Sequence, residues 1–451
     1  MKLYLTSLGC RLNQAEIEAL SRRAVALGCQ LVETPTQADW AVINTCTVTH
    51  VAARKSRQAI RRLRRENPTV RVAVIGCYGE MSRGEARALT GVDLVLPNVE
   101  KERLLDHLLA EVSLSGPAPP ENAPAPLGRR TRAFIKVQDG CDNRCAYCIV
   151  TVARGPSRSR LPDEILAEIA ERQSEGVQEV VLTGVNIGAY GRDHPESGPL
   201  PVYEGWSLAR LVREILERID IARLRLSSIE PWDLTEELIA LWPHIRLCRQ
   251  VHLPLQSGSD AVLRRMARPI RVAGFRDLVG ALRGRAHEMA VSADLIVGFP
   301  GESDTDFQET VRVAQELGLA RLHVFRYSPR EGTPAAGWEP VPPSVARQRS
   351  ERLIALGEEL ALAYHRRFVG ETVEVLFETA IELEGTWGWS GLTDHYVRVW
   401  APCDDNLHNR LRRVRGLAAD AQGLRGEIVP EAGLRGSKAA PPDARDSHAQ
   451  A

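Results

Sequence analysis

A strand-and-helix alternation, repeated six times between residues 133 and 362, constrains the fold more than any other feature of the sequence. Each unit begins with a short apolar run and continues with apolar residues at three- and four-residue steps, the spacing of an amphipathic helix. Successive βα units place parallel strands side by side, so we expect an α/β protein with a partial (β/α)6 barrel. The six strand candidates begin at Ala133, Glu179, Arg223, Val251, Val291 and Arg321.

A shorter alternation occupies residues 1–112 and predicts a small doubly wound α/β domain in front of the barrel. Its apolar runs are rich in β-branched residues, which is typical of buried parallel strands. Asn13 followed by Glu16 indicates the start of a helix, and Gly28 fits its C-terminal stop. The four strand candidates are Lys2–Thr6, Trp40–Thr45, Arg71–Gly76 and Val92–Leu96.

The remaining domain boundaries follow from composition. Residues 113–128 are rich in proline and alanine and predict an extended linker, which leaves residues 129–363 for the barrel. From residue 364 to residue 430, short strand-like alternations separated by glycines predict a small β-barrel. Residues 431–451 are small and polar, and we expect a disordered tail there.

The cellular setting is predicted from the whole chain. No run of eighteen apolar residues occurs, so we expect no membrane span. The first ten residues lack the charged and long apolar regions of a signal peptide, which indicates the cytoplasm, where thiols stay reduced. The formal net charge is zero and indicates no particular partner. We expect the nine cysteines to serve metal binding or catalysis rather than disulfides.

Three of the cysteines, Cys141, Cys145 and Cys148, lie within eight residues of one another. Structural zinc needs four ligands, usually in two pairs, and no second pair lies nearby. A four-iron cluster held by three thiolates leaves one iron open to a substrate or cofactor. The loop follows the strand that begins at Ala133, which predicts a place at the C-terminal mouth of the barrel, where active sites lie. A structural metal site or a chance grouping is the alternative.

Three other cysteines follow predicted strands of the N-terminal domain. Cys10 comes shortly after the first strand, Cys46 directly after the second and Cys77 directly after the third. Ligands of open parallel sheets bind beyond the carboxyl ends of the strands, so we expect these thiols to converge on one site. The alternative is three small buried residues, a common role of free cysteine.

With these residues in place, the chain resembles the radical S-adenosylmethionine methylthiotransferases. "CDNRCAYC" is similar to the C-x3-C-x2-C signature of the radical superfamily, including the aromatic Tyr147 before the last cysteine. "GCRLNQAE", "NTCTVT" and "GCYGE" are similar to the N-terminal domain of that family. The C-terminal β domain resembles the TRAM domain, an RNA-binding module. The resemblance implies a radical 4Fe–4S cluster on Cys141, Cys145 and Cys148, and an auxiliary 4Fe–4S cluster on Cys10, Cys46 and Cys77.

The resemblance also implies a reaction and its partners. S-adenosylmethionine binds the open iron, and one electron from the cluster cleaves it to a radical that abstracts hydrogen from an unreactive ring carbon. "NTCTVTHVAARKSRQAIRR" resembles the branch that methylthiolates C2 of N6-threonylcarbamoyladenosine next to the anticodon of tRNA (position 37). The implied partners are the tRNA anticodon stem-loop, an electron donor such as a flavodoxin or ferredoxin, and a sulfur source.

Other functions stay open at this point. Related branches act on isopentenyladenosine in tRNA or on a ribosomal protein. A protein that only carries electrons, or only assembles clusters, would need the same thiolates. Consumption of S-adenosylmethionine by the reduced protein distinguishes an enzyme from such a carrier.

Candidate cofactor contacts come from the ends of the barrel strands. Tyr147 lies within the cysteine loop, Thr183 and Gly184 end the second strand, and Ser228 and Gln256 end later ones. Each of these residues has a turn or core role as its alternative. Arg154, Arg158 and Arg160 follow the cysteine loop and are candidates to bind the threonyl carboxylate of the substrate. A surface loop is the alternative for these three arginines.

Candidate RNA contacts lie on a basic helix and in the C-terminal domain. The predicted helix after Cys46 carries one acidic residue against many arginines, which favours phosphate binding over a self-paired surface. Its candidate RNA-binding residues are Arg57, Arg61, Arg62, Arg64 and Arg65. In the C-terminal domain, aromatic side chains are candidates either to stack on bases or to fill the core. These side chains are Trp387, Trp389, Tyr396 and Trp400.

Overall fold

A computed structural model of the chain describes residues 1–110, 131–193 and 205–430. The predicted linker at residues 113–128 and the predicted tail at residues 431–451 lie outside the described residues. In chain order, the described residues form a parallel sheet with helices, a partial barrel and a closed β-barrel. The predicted fold class is therefore confirmed. Within these residues, no helix combines the length and apolar character needed to cross a membrane.

The N-terminal residues form one parallel sheet with helices on both faces. Their elements are β1 (Lys2–Ser7), α1 (Arg11–Ala26), β2 (Gln30–Leu31), β3 (Trp40–Thr45), α2 (His50–Glu66), β4 (Arg71–Gly76), α3 (Cys77–Met81), α4 (Arg83–Ala88), β5 (Leu94–Val95) and α5 (Leu104–Ala110). The strand order is β2-β1-β3-β4-β5, a common doubly wound arrangement. Alternate residues of β3 pack on α1 and α5 on one face and on α2 on the other. The two-residue edge strand β2 was not predicted, because so short a segment has no detectable period.

The first helix begins two residues earlier than predicted, with Cys10 as its N-cap residue. The prediction that Asn13 starts the helix is wrong, because this side chain is buried and bonds to two loops. Its amide donates to the carbonyl oxygens of Leu8 and Thr45, at 2.7 and 3.1 Å. Asn13 therefore ties the loop that carries Cys10 to the loop that carries Cys46.

The middle of the chain forms the predicted partial barrel. Its elements are β6 (Arg132–Lys136), β7 (Gln138–Asp139), α6 (Val150–Arg154), β8 (Arg158–Ser159), α7 (Pro162–Ser174), β9 (Glu179–Thr183), α8 (Leu208–Arg218), β10 (Arg223–Leu226), α9 (Glu236–Ile239), β11 (Gln250–His252), α10 (Asp260–Arg265), α11 (Val272–Arg285), β12 (Ala290–Val297), α12 (Asp304–Leu317), β13 (Arg321–Arg326) and α13 (Pro343–Arg366). The parallel sheets β6-β9-β10 and β11-β12-β13 meet at a parallel bridge between Ser228 and His252. All six predicted strands are present, in consecutive order around the barrel.

The N-terminal domain docks on the first edge of the barrel. Helix α1 packs against β6, and Arg22 near the end of α1 pairs with Glu171 of α7 and with Glu175, the residue that caps α7. This contact brings the carboxyl ends of the N-terminal strands next to the carboxyl end of β6. The placement matters for function, because both sets of three cysteines lie at strand ends.

The C-terminal domain is a closed five-stranded barrel. Its strands are β14 (Thr372–Leu383), β15 (Thr386–Thr393), β16 (Arg398–Pro402), β17 (Leu411–Ala419) and β18 (Leu424–Ile428), in the order β14-β15-β16-β18-β17. Among the candidate base-stacking residues, Trp389 is 7% exposed and belongs to the core, whereas Trp387 is 54% exposed. Trp400 is half-buried.

Tyr396 connects the C-terminal barrel to the other two domains. Its hydroxyl accepts a hydrogen bond from Arg11 at 2.7 Å, and its ring lies beside the guanidinium groups of Arg11, Arg132 and Arg225. Arg225 is fully buried and donates to both carboxylate oxygens of Glu179, at 2.7 and 3.0 Å. Of the two alternatives for Tyr396, base stacking or a packing role, the structure favours packing, because the side chain holds the domains together.

Candidate active site

The loop triad, which comprises Cys141, Cys145 and Cys148, lies between β7 and β8 at the carboxyl end of β6. Antiparallel pairing of β7 with β8 closes the base of the loop. The amide of Cys141 donates to the carbonyl oxygen of Gly155 at 3.1 Å, and the amide of Cys148 donates to that of Cys145 at 3.0 Å. These bonds fold the loop so that the thiols are neighbours at the mouth of the barrel.

The environment of the loop triad disfavours free thiolates. Burial, reinforced by the neighbouring Cys145, raises the pKa of Cys141 to about 11. Burial, reinforced by Cys145 and Cys141, raises the pKa of Cys148 to about 12. A bound metal reverses this preference, because a coordinating thiol is deprotonated by the charge of the metal. Three reduced, mutually close thiols are the donor set that an iron–sulfur cluster requires.

The N-terminal triad, which comprises Cys10, Cys46 and Cys77, lies at the carboxyl ends of β1, β3 and β4. A Cβ atom at Gly9 would stand 2.9 Å from the sulfur of Cys46, so the segment before Cys10 lies directly against Cys46. Burial, reinforced by Cys77 and Cys10, raises the pKa of Cys46 to about 11. The structure thus brings together three thiols that are far apart in sequence.

Neither triad is arranged for a single ion. Across residues 1–110, 131–193 and 205–430, no three His, Cys, Asp or Glu side chains gather as one metal ion would require. In a cubane cluster each thiolate binds a different iron, so the three thiolates lie further apart than they would around a single ion. The chemistry of both donor sets fits such a cluster.

A rim of unpaired polar atoms surrounds the mouth of the barrel above the loop triad. Four buried side-chain atoms there have no hydrogen-bond partner among the described residues: Asn143 Nδ2, Asn186 Oδ1, Ser227 Oγ and Gln256 Oε1. Buried polar atoms are normally paired, so this group needs an explanation. Gln256 also has a left-handed backbone, with φ of 73°, a conformation that is unusual away from glycine and often found at functional sites. These atoms follow the carboxyl ends of successive barrel strands, where a polar ligand would find partners.

The other predicted cofactor contacts differ in burial. Thr183 is buried at the end of β9, and its carbonyl oxygen accepts from the amide of Val137 at 2.9 Å. A Cβ atom at Gly184 would stand 2.8 Å from the carbonyl oxygen of Gln138, so the glycine is required for packing against β7. Ser228 is exposed at the mouth. Direct contact of these residues with a cofactor stays a prediction.

A buried arginine beside the loop triad was not predicted. Arg268 donates to Glu230 at 2.7 Å, lies 3.3 Å from the hydroxyl of Tyr147, and approaches the sulfur of Cys145 at 3.9 Å. Its guanidinium lies over the ring of Trp232. Arg268 is 123 residues from Cys145 in the chain, and no local pattern marks it. The unpaired amide and hydroxyl atoms of Asn186 and Ser227 were missed for the same reason.

The comparisons with known proteins agree with this geometry. Residues 135–314 match the family model of the radical SAM superfamily, and residues 2–97 match that of uncharacterized protein family UPF0004. The threonylcarbamoyladenosine tRNA methylthiotransferase MtaB of Bacillus subtilis is 35% identical over 439 residues, which cover 94% of this chain and 95% of that protein. The chain belongs to the radical S-adenosylmethionine methylthiotransferases. The earlier alternative of a pure electron carrier or cluster scaffold is thereby set aside.

Two further comparisons concern a second tRNA-modifying enzyme and a solved structure. The tRNA-2-methylthio-N(6)-dimethylallyladenosine synthase of Thermus thermophilus is 35% identical over 85% of this chain and 83% of that protein. The radical S-adenosylmethionine methyltransferase TsrM of Kitasatospora setae has a TM-score of 0.54 at 15% identity, and 74% of this chain and 77% of that chain are covered. This last likeness concerns the fold alone. As a member of its family, the methylthiotransferase uses S-adenosylmethionine and two 4Fe–4S clusters.

Three of the predicted RNA-binding arginines of α2 have partners within the protein. These are Arg57 with Glu85, Arg62 with Glu66, and Arg64 with the carbonyl oxygen of Val70. The expectation that this helix is not self-paired is wrong for Arg62. Arg61 and Arg65 are exposed, and no carboxylate in the described part of the chain pairs with either. Like Arg54 and Lys55, which are also exposed on α2, they are available to meet phosphate.

The arginines that follow the cysteine loop differ in burial and in their bonding partners. Arg154 is buried and paired with carboxylates of the protein, so the prediction that it binds a substrate carboxylate is wrong. Arg160 pairs with Glu168 of α7 at 2.7 Å. Within the part of the chain that the structure describes, Arg158 donates to backbone carbonyl oxygens alone, those of Pro156 and Arg154. Among the three, Arg158 is therefore the side chain with capacity for a further anion.

Proposed function

We propose that this methylthiotransferase modifies tRNA at the adenosine next to the anticodon (position 37), and that the substrate nucleoside is N6-threonylcarbamoyladenosine. We further propose that the loop triad holds the radical cluster and the N-terminal triad holds the auxiliary cluster. The observation that carries the proposal is the joint placement of the triads at adjoining strand ends, with the motif "NTCTVT" around one of them.

The relatives support a tRNA substrate more broadly than they support one nucleoside. Relatives from Bacillus subtilis, Thermotoga maritima and Chlamydia pneumoniae, at 35–36% identity, are named for threonylcarbamoyladenosine. The Thermus thermophilus relative, named for dimethylallyladenosine, is 35% identical. Since overall identity does not separate the two substrates, the choice rests on the residues around Cys46.

The side chains at the mouth would bind and orient the cofactor. The clusters, when bound, supply the electron that cleaves S-adenosylmethionine and the sulfur that is inserted. Asn186, Ser227 and Gln256 offer unpaired polar atoms to the amino-acid part of that molecule. Phe299, whose ring is fully buried and meets Tyr327 edge-on with centroids 5.2 Å apart, provides an apolar floor that excludes water.

C2 of the substrate base has to reach into this mouth. An anticodon loop presents an unstacked base at lower cost than a duplex does. The exposed guanidinium groups of Arg61 and Arg65 would bind the phosphates of the same loop. We assign the threonyl carboxylate to Arg158, because a guanidinium binds a carboxylate bidentately and this one is not paired with a protein carboxylate among the described residues.

The test of the nucleoside uses matched tRNA substrates. The purified enzyme is offered tRNA with and without the threonylcarbamoyl group, and isopentenylated tRNA, and nucleosides are analysed by mass spectrometry. We expect methylthio product only on the threonylcarbamoylated tRNA. Equal product with and without the group, or product only on isopentenylated tRNA, contradicts the assignment. An electron donor such as a flavodoxin or ferredoxin, and the sulfur source, stay predictions.

The test of the two triads uses alanine variants. Replacing Cys141, Cys145 and Cys148 should abolish cleavage of S-adenosylmethionine. Replacing Cys10, Cys46 and Cys77 should leave cleavage intact and remove methylthio product, with about half of the iron lost in either variant because each triad holds one cubane. Methylthio product from the second variant would refute the auxiliary-cluster assignment, and the replacement of Cys29, Cys248 and Cys403 is the matched control.

A further inference from the structure

Arg154 reaches from the loop triad toward the N-terminal triad. It is the last residue of α6, six residues after Cys148, and its side chain is 2% exposed. One terminal nitrogen donates to Glu16 at 3.0 Å and to Asp139 at 2.9 Å, and the other donates to the side-chain oxygen of Asn13 at 2.7 Å. Glu16 and Asn13 belong to α1, so this side chain crosses from the barrel into the N-terminal domain.

The same guanidinium lies beside the N-terminal triad. The side-chain oxygen of Asn13 that it contacts also accepts from the thiol of Cys10, at 3.6 Å. Helix α3, which begins at Cys77, packs against α6, the helix that ends at Arg154. A buried cation is therefore linked to the thiol of Cys10 through a single oxygen atom and lies on a helix that packs beside Cys77.

The buried charges around Arg154 do not balance within the protein. Three cations, Arg154, Lys101 and Lys136, surround two carboxylates, Glu16 and Asp139, and all five side chains are at most 15% exposed. A surplus of one positive charge remains in a site where an unpaired charge is costly. Thiolates that hold a cluster beside Arg154 supply the missing negative charge.

The backbone next to Arg154 contacts the other triad. The carbonyl oxygen of Gly155 accepts from the amide of Cys141 at 3.1 Å. Adjacent residues thus connect the two thiol sets: Gly155 through a main-chain bond to Cys141, and Arg154 through Asn13 to Cys10.

We propose that Arg154 is a positioning residue that sets the reduction potential of the cluster on the N-terminal triad and fixes that cluster relative to the loop triad. This inference rests on the proposed function, which assigns a cluster to Cys10, Cys46 and Cys77. Net charge and hydrogen bonds to the sulfurs are among the main determinants of cluster potentials. A cation close to the sulfur ligands stabilises the reduced, more negative cluster, so it raises the potential.

The experiment measures that potential with one cluster present. Full-length protein with Cys141, Cys145 and Cys148 replaced by alanine is reconstituted with iron and sulfide, and the remaining cluster is titrated by electron paramagnetic resonance. In this background, Arg154→Gln should lower the midpoint potential. Glu16→Gln should raise it, because Glu16 is a carboxylate that accepts from the same guanidinium, and its removal takes a negative charge away from the cluster.

The opposite signs separate an electrostatic role from a structural one. A residue that only holds the fold gives shifts of the same sign, or no shift, in both variants, and either result overturns the proposal. If the Arg154→Gln protein assembles no cluster, the Glu16→Gln protein alone tests the proposal. An unchanged or lower midpoint potential in the Glu16→Gln protein then overturns it. Arg268→Gln is the control, because that buried arginine contacts the other triad and its loss should leave this potential unchanged.

A second readout uses the enzyme with both triads intact. Arg154→Gln should lower the methylthio product formed per cleavage of S-adenosylmethionine several-fold, and Arg154→Lys should restore part of the product because the charge is kept. Unchanged product per cleavage contradicts the positioning role. Absence of any cluster in the alanine background overturns the cysteine assignment and this inference together, whereas a cluster with unshifted potentials overturns this inference alone.

Discussion

Substitution of Gly140 by alanine should disturb the geometry of the radical site while the rest of the chain stays folded. Gly140 immediately precedes Cys141 and has φ of +71°. A Cβ atom there would stand 1.9 Å from the carbonyl oxygen of Pro156, on the returning side of the cysteine loop. Because both sides of this contact are main chain, no change of rotamer can relieve it.

The size of the effect follows from that distance. Contacts of Cβ below 3.0 Å do not occur, so the two backbone segments must move apart by about 1 Å. The left-handed backbone adds about 1 kcal/mol for any residue with a Cβ atom. A misplacement of about 1 Å at a reacting site costs roughly 100-fold in rate. We therefore expect Gly140→Ala to lower cleavage of S-adenosylmethionine by about 100-fold, with the N-terminal cluster intact.

Gly176 provides the control. It also has a positive φ, of +86°, and no atom lies within 4 Å of its Cβ position. Alanine at Gly176 carries a backbone cost without the collision. The assay is formation of 5′-deoxyadenosine by the reduced enzyme, together with iron content. Wild-type cleavage by Gly140→Ala, or an equal loss in Gly176→Ala, would refute the reasoning.

Three further predictions concern RNA binding and pH. Replacing Arg61 and Arg65 with glutamine should weaken tRNA binding and flatten its salt dependence, whereas Arg62→Gln, whose guanidinium is already paired, should change the slope less. Trp387→Ala should weaken tRNA binding by about 1–3 kcal/mol if the exposed ring stacks on a base, and unchanged binding removes that role. Burial alone would raise the pKa of Glu16, but Arg154 and neighbouring lysines lower it from 4.5 to about 2. Its stabilisation is therefore complete above pH 4.5 and is lost as the pH falls toward 2. The difference in unfolding free energy between wild type and Glu16→Gln should shrink over that range.

The sequence by itself determined the order of elements and the location of the thiols. The six barrel strands lie within two residues of their predicted starts, because period and apolar runs are local properties of a chain. The spacing of Cys141, Cys145 and Cys148 likewise depends only on neighbouring residues. The convergence of Cys10, Cys46 and Cys77 was predicted from one topological rule, that the carboxyl ends of parallel strands meet at one edge.

The tertiary structure alone decided what surrounds those thiols. Arg154 was predicted to bind substrate, and the fold instead buries it among Glu16, Asp139 and Asn13, which come from other segments. Arg268 reaches Cys145 across 123 residues of chain. A charged side chain is recognisable in a sequence, but its partners and its burial depend on which distant segments pack beside it. The electrostatic environment of both triads is therefore a property of the packed domains.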